Sequence, residues 1–173
     1  MKNTAYIILS GMLAVFGWLV LFGLGLLIAS KGYREQLLQA FEWRTFFVSL
    51  LTYTPTNIAA LCLLAALCGG CASRLVLSSA VAGHGPKDAT KGGDIHSEIY
   101  RTENPVSSML RGFVVYVAFL AGVYVGTNAP FAEPTQEQYA RAAGTVSLLA
   151  FVVGYDPTLF RQMLNVGSKL KGS

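Results

Sequence analysis

Residues 45–73 read TFFVSLLTYTPTNIAALCLLAALCGGCAS, twenty-nine positions without a charge between Arg44 and Arg74. About 20 apolar residues cross the hydrocarbon of a bilayer, so the run is longer than one crossing needs. A polar knot interrupts it: Thr52, Tyr53, Thr54, Pro55, Thr56 and Asn57. Thr54-Pro55 is a helix-start signal, with Thr54 as N-cap and Pro55 at the first helical position, where its missing N–H is not needed. The residue before a proline also avoids the α region. The stretch therefore predicts two pieces. A short segment over 46–53 re-enters the membrane or lies at its surface, and a crossing follows over 55–77. A single proline-kinked helix over 46–73 is the competing reading. Backbone released at a break inside a bilayer must be buried in protein or line water.

The composition agrees with a membrane chain. Only 13% of the 173 residues are charged and 53% are hydrophobic, against about 25% charged in a soluble domain. The net charge of +4 comes from basic residues that flank the apolar runs. Lipid headgroups are then the expected electrostatic partner. No basic stripe interleaved with aromatics points to nucleic acid.

Working outward, the N-terminal run predicts a crossing over 5–30. Its apolar core exceeds the ~7–15 residues of a signal-peptide core and no A-x-A site follows, so it reads as a retained helix. Gly11, Gly17, Gly23 and Gly25 lie along it, with Ser10 and Ala14 as a small-xxx-small pair. Such residues let helices approach closely, either within the bundle or at an oligomer face. Between this run and the knot, charged residues alternate with Leu37, Leu38, Phe41, Phe46 and Phe47, which predicts a surface helix that dips inward. Tyr33 and Trp43 are its interface anchors.

Downstream, residues 78–104 are turn-rich and form a loop. Asn104-Pro105 is a second cap-plus-proline start and opens a crossing over 105–127, with Gly122 and Gly126 in GxxxG spacing. A fourth crossing follows over 135–155, where Arg141 must snorkel or pair with Glu137 one turn earlier. Asp156-Pro157 is the third such start. It introduces an amphipathic tail over 157–171, with Leu159, Phe160, Met163, Leu164 and Leu170 opposite Arg161, Lys169 and Lys171.

The expected fold is all-α: one integral domain of four crossings, a dipping segment before the second, and an amphipathic tail. Four crossings put both ends on one side. That side carries nine basic residues (Lys2, Arg74, Lys87, Lys91, Arg101, Arg111, Arg161, Lys169, Lys171) and the other carries four (Lys31, Arg34, Arg44, Arg141). Positive residues favour the cytoplasmic face, which places both termini in the cytoplasm of a bacterial-type inner membrane.

Several groups invite chemistry. Cys68-Gly69-Gly70-Cys71 has C-x-x-C spacing, but it lies toward a helix C-terminus, where the dipole does not favour a thiolate. Small buried cysteines are the alternative. Twelve residues separate Cys71 from His84, a zinc-finger interval, yet His96 follows too late to complete the pattern. Thr52, Thr54, Thr56 and Asn57 could bind an ion at the break, or satisfy the break's own backbone. Arg111, a charge inside a crossing, either snorkels or pairs with Asp156. No P-loop, nucleophile elbow, zincin motif or intramembrane carboxylate pair is present, and no cofactor is expected. The leading expectation is a non-enzymatic membrane component that assembles with itself or a protein partner. An oligomeric channel with the 54–57 break near its pathway is the alternative. A thiol or metal site at Cys68 and Cys71 is the third.

Overall fold

The computed structural model describes residues 2–27, 35–36, 39–83, 104–126, 135–160 and 162. The expected loop over 78–104 is helical through 78–83, so the second crossing's helix runs six residues past its expected end. The loop's remainder over 84–103 with His84 and His96, Tyr33, the turn at 127–134 and the tail beyond 162 lie outside the described residues. Among the described residues five helices of ten residues or more follow in chain order: α1 Lys2–Leu27, α2 Trp43–Thr52, α3 Thr54–Gly83, α4 Pro105–Gly126 and α5 Gln136–Tyr155. No strand occurs among the described residues.

The knot does break the long uncharged run. Tyr53 separates α2 from α3 with φ −67° and ψ 120°, an extended conformation. The break falls one residue before the expected Thr54 cap. The Tyr53 carbonyl accepts the Asn57 N–H at 2.9 Å, so Tyr53 opens α3 and Pro55 sits within its first turn, where proline is tolerated. The other two starts follow their local chemistry. Asn104 Oδ1 accepts the Val106 N–H at 3.2 Å. Asp156 Oδ1 accepts the Thr158 N–H at 2.8 Å and its hydroxyl at 2.7 Å, capping helical residues 157–160. α5 opens on a capping box, T-x-x-Q: Thr135 Oγ1 accepts the Gln138 N–H, and Gln138 Oε1 accepts the Thr135 N–H, both at 3.2 Å.

Three helical stretches are long and apolar enough to cross a membrane: Thr4–Leu26, Thr54–Val76 and Pro105–Val123. This makes the chain a helical membrane protein. α5 differs from the expected fourth crossing in polarity, not in length. Gln136, Glu137, Gln138 and Arg141 crowd its first two turns, and Arg141 pairs with Glu137 at 2.5 Å on an exposed surface.

α3 is the central helix, and every other helix packs on it. Paired positions give the directions. α1 and α4 run antiparallel to α3, as Gly11 meets Cys71 and Gly112 meets Ala66. α5 runs parallel to α3, from Tyr139 beside Asn57 to Tyr155 beside Gly69. On α5 the buried residues Tyr139, Ala143, Val146, Ala150 and Val153 alternate in steps of four and three, the spacing of a coiled-coil seam. They pack against Ile58, Leu61, Cys62, Ala65 and Ala66 of α3.

Candidate functional site

Two polar centres stand inside this apolar bundle, one at each end. The first is the knot. A helix that stops leaves its last four carbonyls without N–H partners, and those of α2 cannot turn to water if they lie within the bilayer. Side chains of the knot take that role. The Ser49 carbonyl accepts the Tyr53 N–H at 2.8 Å. The Thr56 hydroxyl donates to the Leu50 carbonyl and, at 3.0 Å, to that of Tyr53. Asn57 Nδ2 donates to the Leu51 carbonyl at 2.7 Å. Thr52 donates back to the Val48 carbonyl at 2.8 Å. Thr54 is half-buried and Pro55 buried.

Asn57 does more than close the break. It is fully buried, at 0% exposure. Its second N–H reaches the Leu21 carbonyl of α1 at 2.9 Å, and its Oδ1 accepts the Tyr139 hydroxyl of α5 at 2.5 Å. One amide thus joins α1, α2, α3 and α5. Gly25 makes room for it: a Cβ there would collide with the Tyr139 ring and hydroxyl. Phe22 lies against Tyr139 with ring centres 5.7 Å apart, and Trp18 stacks on Phe22 at 4.9 Å. Trp18 Nε1 then donates to Ser147 of α5 at 3.1 Å. All the donors and acceptors of the Asn57 amide are directed to the protein.

The second centre surrounds Arg111 of α4. The residue is 7% exposed. Its guanidinium donates to Ser108 Oγ at 3.1 Å, to Ser107 Oγ at 3.4 Å and to the Gly154 carbonyl at 3.4 Å. Gly154 lies in the last turn of α5, whose carbonyls carry the negative end of the helix dipole. The charge is therefore folded into the bundle, at a carbonyl two residues before Asp156. Removing the guanidinium strips a charged donor from a helix end, worth about 1.5–3 kcal/mol. Arg111→Ala is expected to speed proteolysis after Asp156 by roughly tenfold or more in nanodiscs, because cleavage follows local opening. Arg111→Lys, with one point of attachment instead of a fork, should fall between. An unchanged cleavage rate in the alanine variant contradicts this role.

Between the two centres runs a seam of small residues from three helices. A Cβ on Gly112 would stand 2.6 Å from the Ala66 Cβ, and one on Gly154 would stand 2.7 Å from the Ala66 Cα. A Cβ on Gly69 would meet the Tyr155 nitrogen at 2.7 Å, and one on Gly70 would strike Ser108. These glycines are structural necessities that GxxxG spacing does not pick out. The glycines singled out by sequence are placed differently. Gly11 and Gly17 face α3, with Cβ positions 3.3 Å from Cys71 Cβ and 3.4 Å from a Leu64 methyl. Gly122 is exposed with nothing within 4 Å. The surroundings of Gly126 lie outside the described residues.

Cys62 and Cys71 are buried, Cys68 is half-buried, and all three are free thiols. Cys68 and Cys71 sit within the uninterrupted helix α3. Among the described residues no three His, Cys, Asp or Glu side chains come close enough to share a metal ion. No protein-family profile, curated protein or solved structure matches the chain.

Proposed function

We propose that the chain is a non-enzymatic inner-membrane component that crosses the bilayer four times and works by assembling, with copies of itself or with a membrane partner. The observation that carries this reading is the direction of its polar groups. Asn57, Thr56, Thr52 and Arg111 direct hydrogen bonds into the fold. The outer faces of α1 and α4 are apolar, with Leu9, Met12, Leu13 and Phe16 exposed on one and Leu110, Val114 and Val117 on the other. Ala118 and Gly122 continue the α4 face with small residues, as helix association in lipid favours.

The fourth crossing is supported by the company α5 keeps. It runs parallel to α3 from Asn57 to Gly69 and must pass through the same layer. Its 20 residues span about 30 Å. Its polar first turns stand at the rim, level with Leu26, whose carbonyl accepts Gln136 Nε2 at 3.1 Å. α2 dips into the layer from that rim without crossing. The excess of basic residues then puts both termini in the cytoplasm.

A pore within one copy is disfavoured by the closed packing around the break, where Asn57, Ile58 and Leu61 are each 0% exposed. A channel would have to form between copies, and single-channel recording of the purified assembly tests it. The assembly itself is tested by particle mass in mild detergent. The expected result is a discrete multiple of 18.5 kDa, or a fixed ratio with a copurified membrane protein, with Gly122→Leu shifted toward the single chain. A single chain at every protein-to-detergent ratio contradicts the proposal.

A further inference from the structure

α2 is amphipathic in the inverted sense. Its exposed stripe is Trp43, Phe47, Leu50 and Leu51, whereas the side turned to the bundle carries Thr45, Ser49 and Thr52, the last two buried. A helix on a water-facing surface does the opposite and buries its apolar stripe. Hydrocarbon outside the helix removes the contradiction. There an outward leucine costs nothing, and a hydroxyl gains by turning inward to carbonyls, as Thr52 does.

The two ends of α2 are not alike. Glu42 and Arg44 mark the first turn, beside an aromatic cluster in which the Trp43 ring lies 5.1 Å from Phe41 and 6.3 Å from Phe47. At the far end the Asn57 amide ties the Leu51 carbonyl to that of Leu21. Leu21 is six residues inside the end of α1 at Leu27, about 9 Å along its axis. The charged end is thus the shallow one and the leucine end the deep one. Trp and Tyr favour the headgroup boundary, and Arg can snorkel to it.

We infer that the outer stripe of α2 is a lipid-contact surface, with Trp43 at the boundary between headgroups and acyl chains and Leu50 and Leu51 deeper among the chains. Its partner is bilayer phospholipid, not a second copy of the chain. The inference rests on reading α2 as a half-helix that dips into the layer.

Trp18 and Trp43 are the two tryptophans of the chain, so W18F leaves Trp43 as the sole reporter. If W18F folds poorly, subtracting the signal of W43F from that of the wild type isolates the same residue. The protein is placed in phosphatidylcholine–phosphatidylglycerol vesicles containing lipids brominated at stated acyl positions. Trp43 should lose most of its emission to lipids brominated near the glycerol end, and less to lipids brominated near the methyl end. Aqueous iodide should quench it far less than in the denatured chain. Stronger loss to the methyl-end lipid overturns the boundary placement. Shielding from both bromine and iodide means that protein covers the stripe; the lipid contact then fails while the dip survives. Iodide quenching equal to that of the denatured chain puts α2 in water and overturns both.

Discussion

Asn57→Leu destabilises the bundle by roughly 2–6 kcal/mol, because two buried groups lose their partner and each such group costs about 1–3 kcal/mol. The two are the Leu51 carbonyl, released where α2 ends, and the Tyr139 hydroxyl. The Leu21 carbonyl loses a second donor but lies within the α1 helix, so it adds little. Hydrogen bonds between membrane helices are often weaker, near ~0.6 kcal/mol on average, because unpaired side chains find other partners. The Leu51 carbonyl has no such freedom: it is fixed at a backbone break. Tyr139→Phe removes only one donor and leaves Asn57 able to hold both carbonyls. It leaves one buried group, Asn57 Oδ1, without its donor and should cost about 1–3 kcal/mol, roughly half the loss in the leucine variant. The two variants are compared by unfolding in a denaturing detergent titration, followed by Trp18 fluorescence in a W43F background. Equal losses would show that the Tyr139 bond, and not closure of the break, carries the effect.

Gly154→Ala is the second large effect. One methyl group placed there meets the backbone of Ala66, its Cα at 2.7 Å. Backbone cannot rotate away, so α3 and α5 must separate along their whole seam. Overpacking of this kind costs about 1–3 kcal/mol and sometimes more. Alanine gains up to ~1 kcal/mol over glycine in a helix, so the clash decides the sign. Gly144→Ala, on the same helix with nothing within 4 Å of its Cβ position, gains the propensity term without the clash. Thermal unfolding in mild detergent should therefore move in opposite directions for the two substitutions. A rise in both would mean that the seam has slack.

What the sequence revealed and what it concealed separate along one line, local against distant. The membrane class and the break at the knot were readable because apolar length and proline chemistry act within a few residues. The caps at Asn104 and Asp156 were readable for the same reason. The Thr54 cap was placed one residue late because Thr56 and Asn57 reach back to Leu50 and Leu51, so the helix closes on Tyr53. Tyr139 as the partner of Asn57 was not readable: 82 positions separate them. Gly69, Gly70, Gly112 and Gly154 form a seam only once three helices meet, and no single helix carries a repeat that reveals it. Gly122 and Gly126 carry the repeat, yet Gly122 meets nothing inside the fold. Arg111 could be seen as a charge within a crossing. Of its acceptors, Ser107 and Ser108 lie one turn away on the same helix, whereas the Gly154 carbonyl at the end of α5 has no signature in sequence. The 4-3 spacing on α5, by contrast, lay in view from Tyr139 to Val153.

The fourth crossing is the step on which the rest depends, since it fixes the depth of the break, the common side of the termini and the faces left for assembly. Fusing a fluorescent protein that matures only in the cytoplasm, and separately a phosphatase active only outside it, to each end of the full chain measures it directly. Four crossings predict that both ends report the cytoplasm. One end on each side of the membrane would mean that α5 does not cross, and would contradict the bundle proposed for this protein.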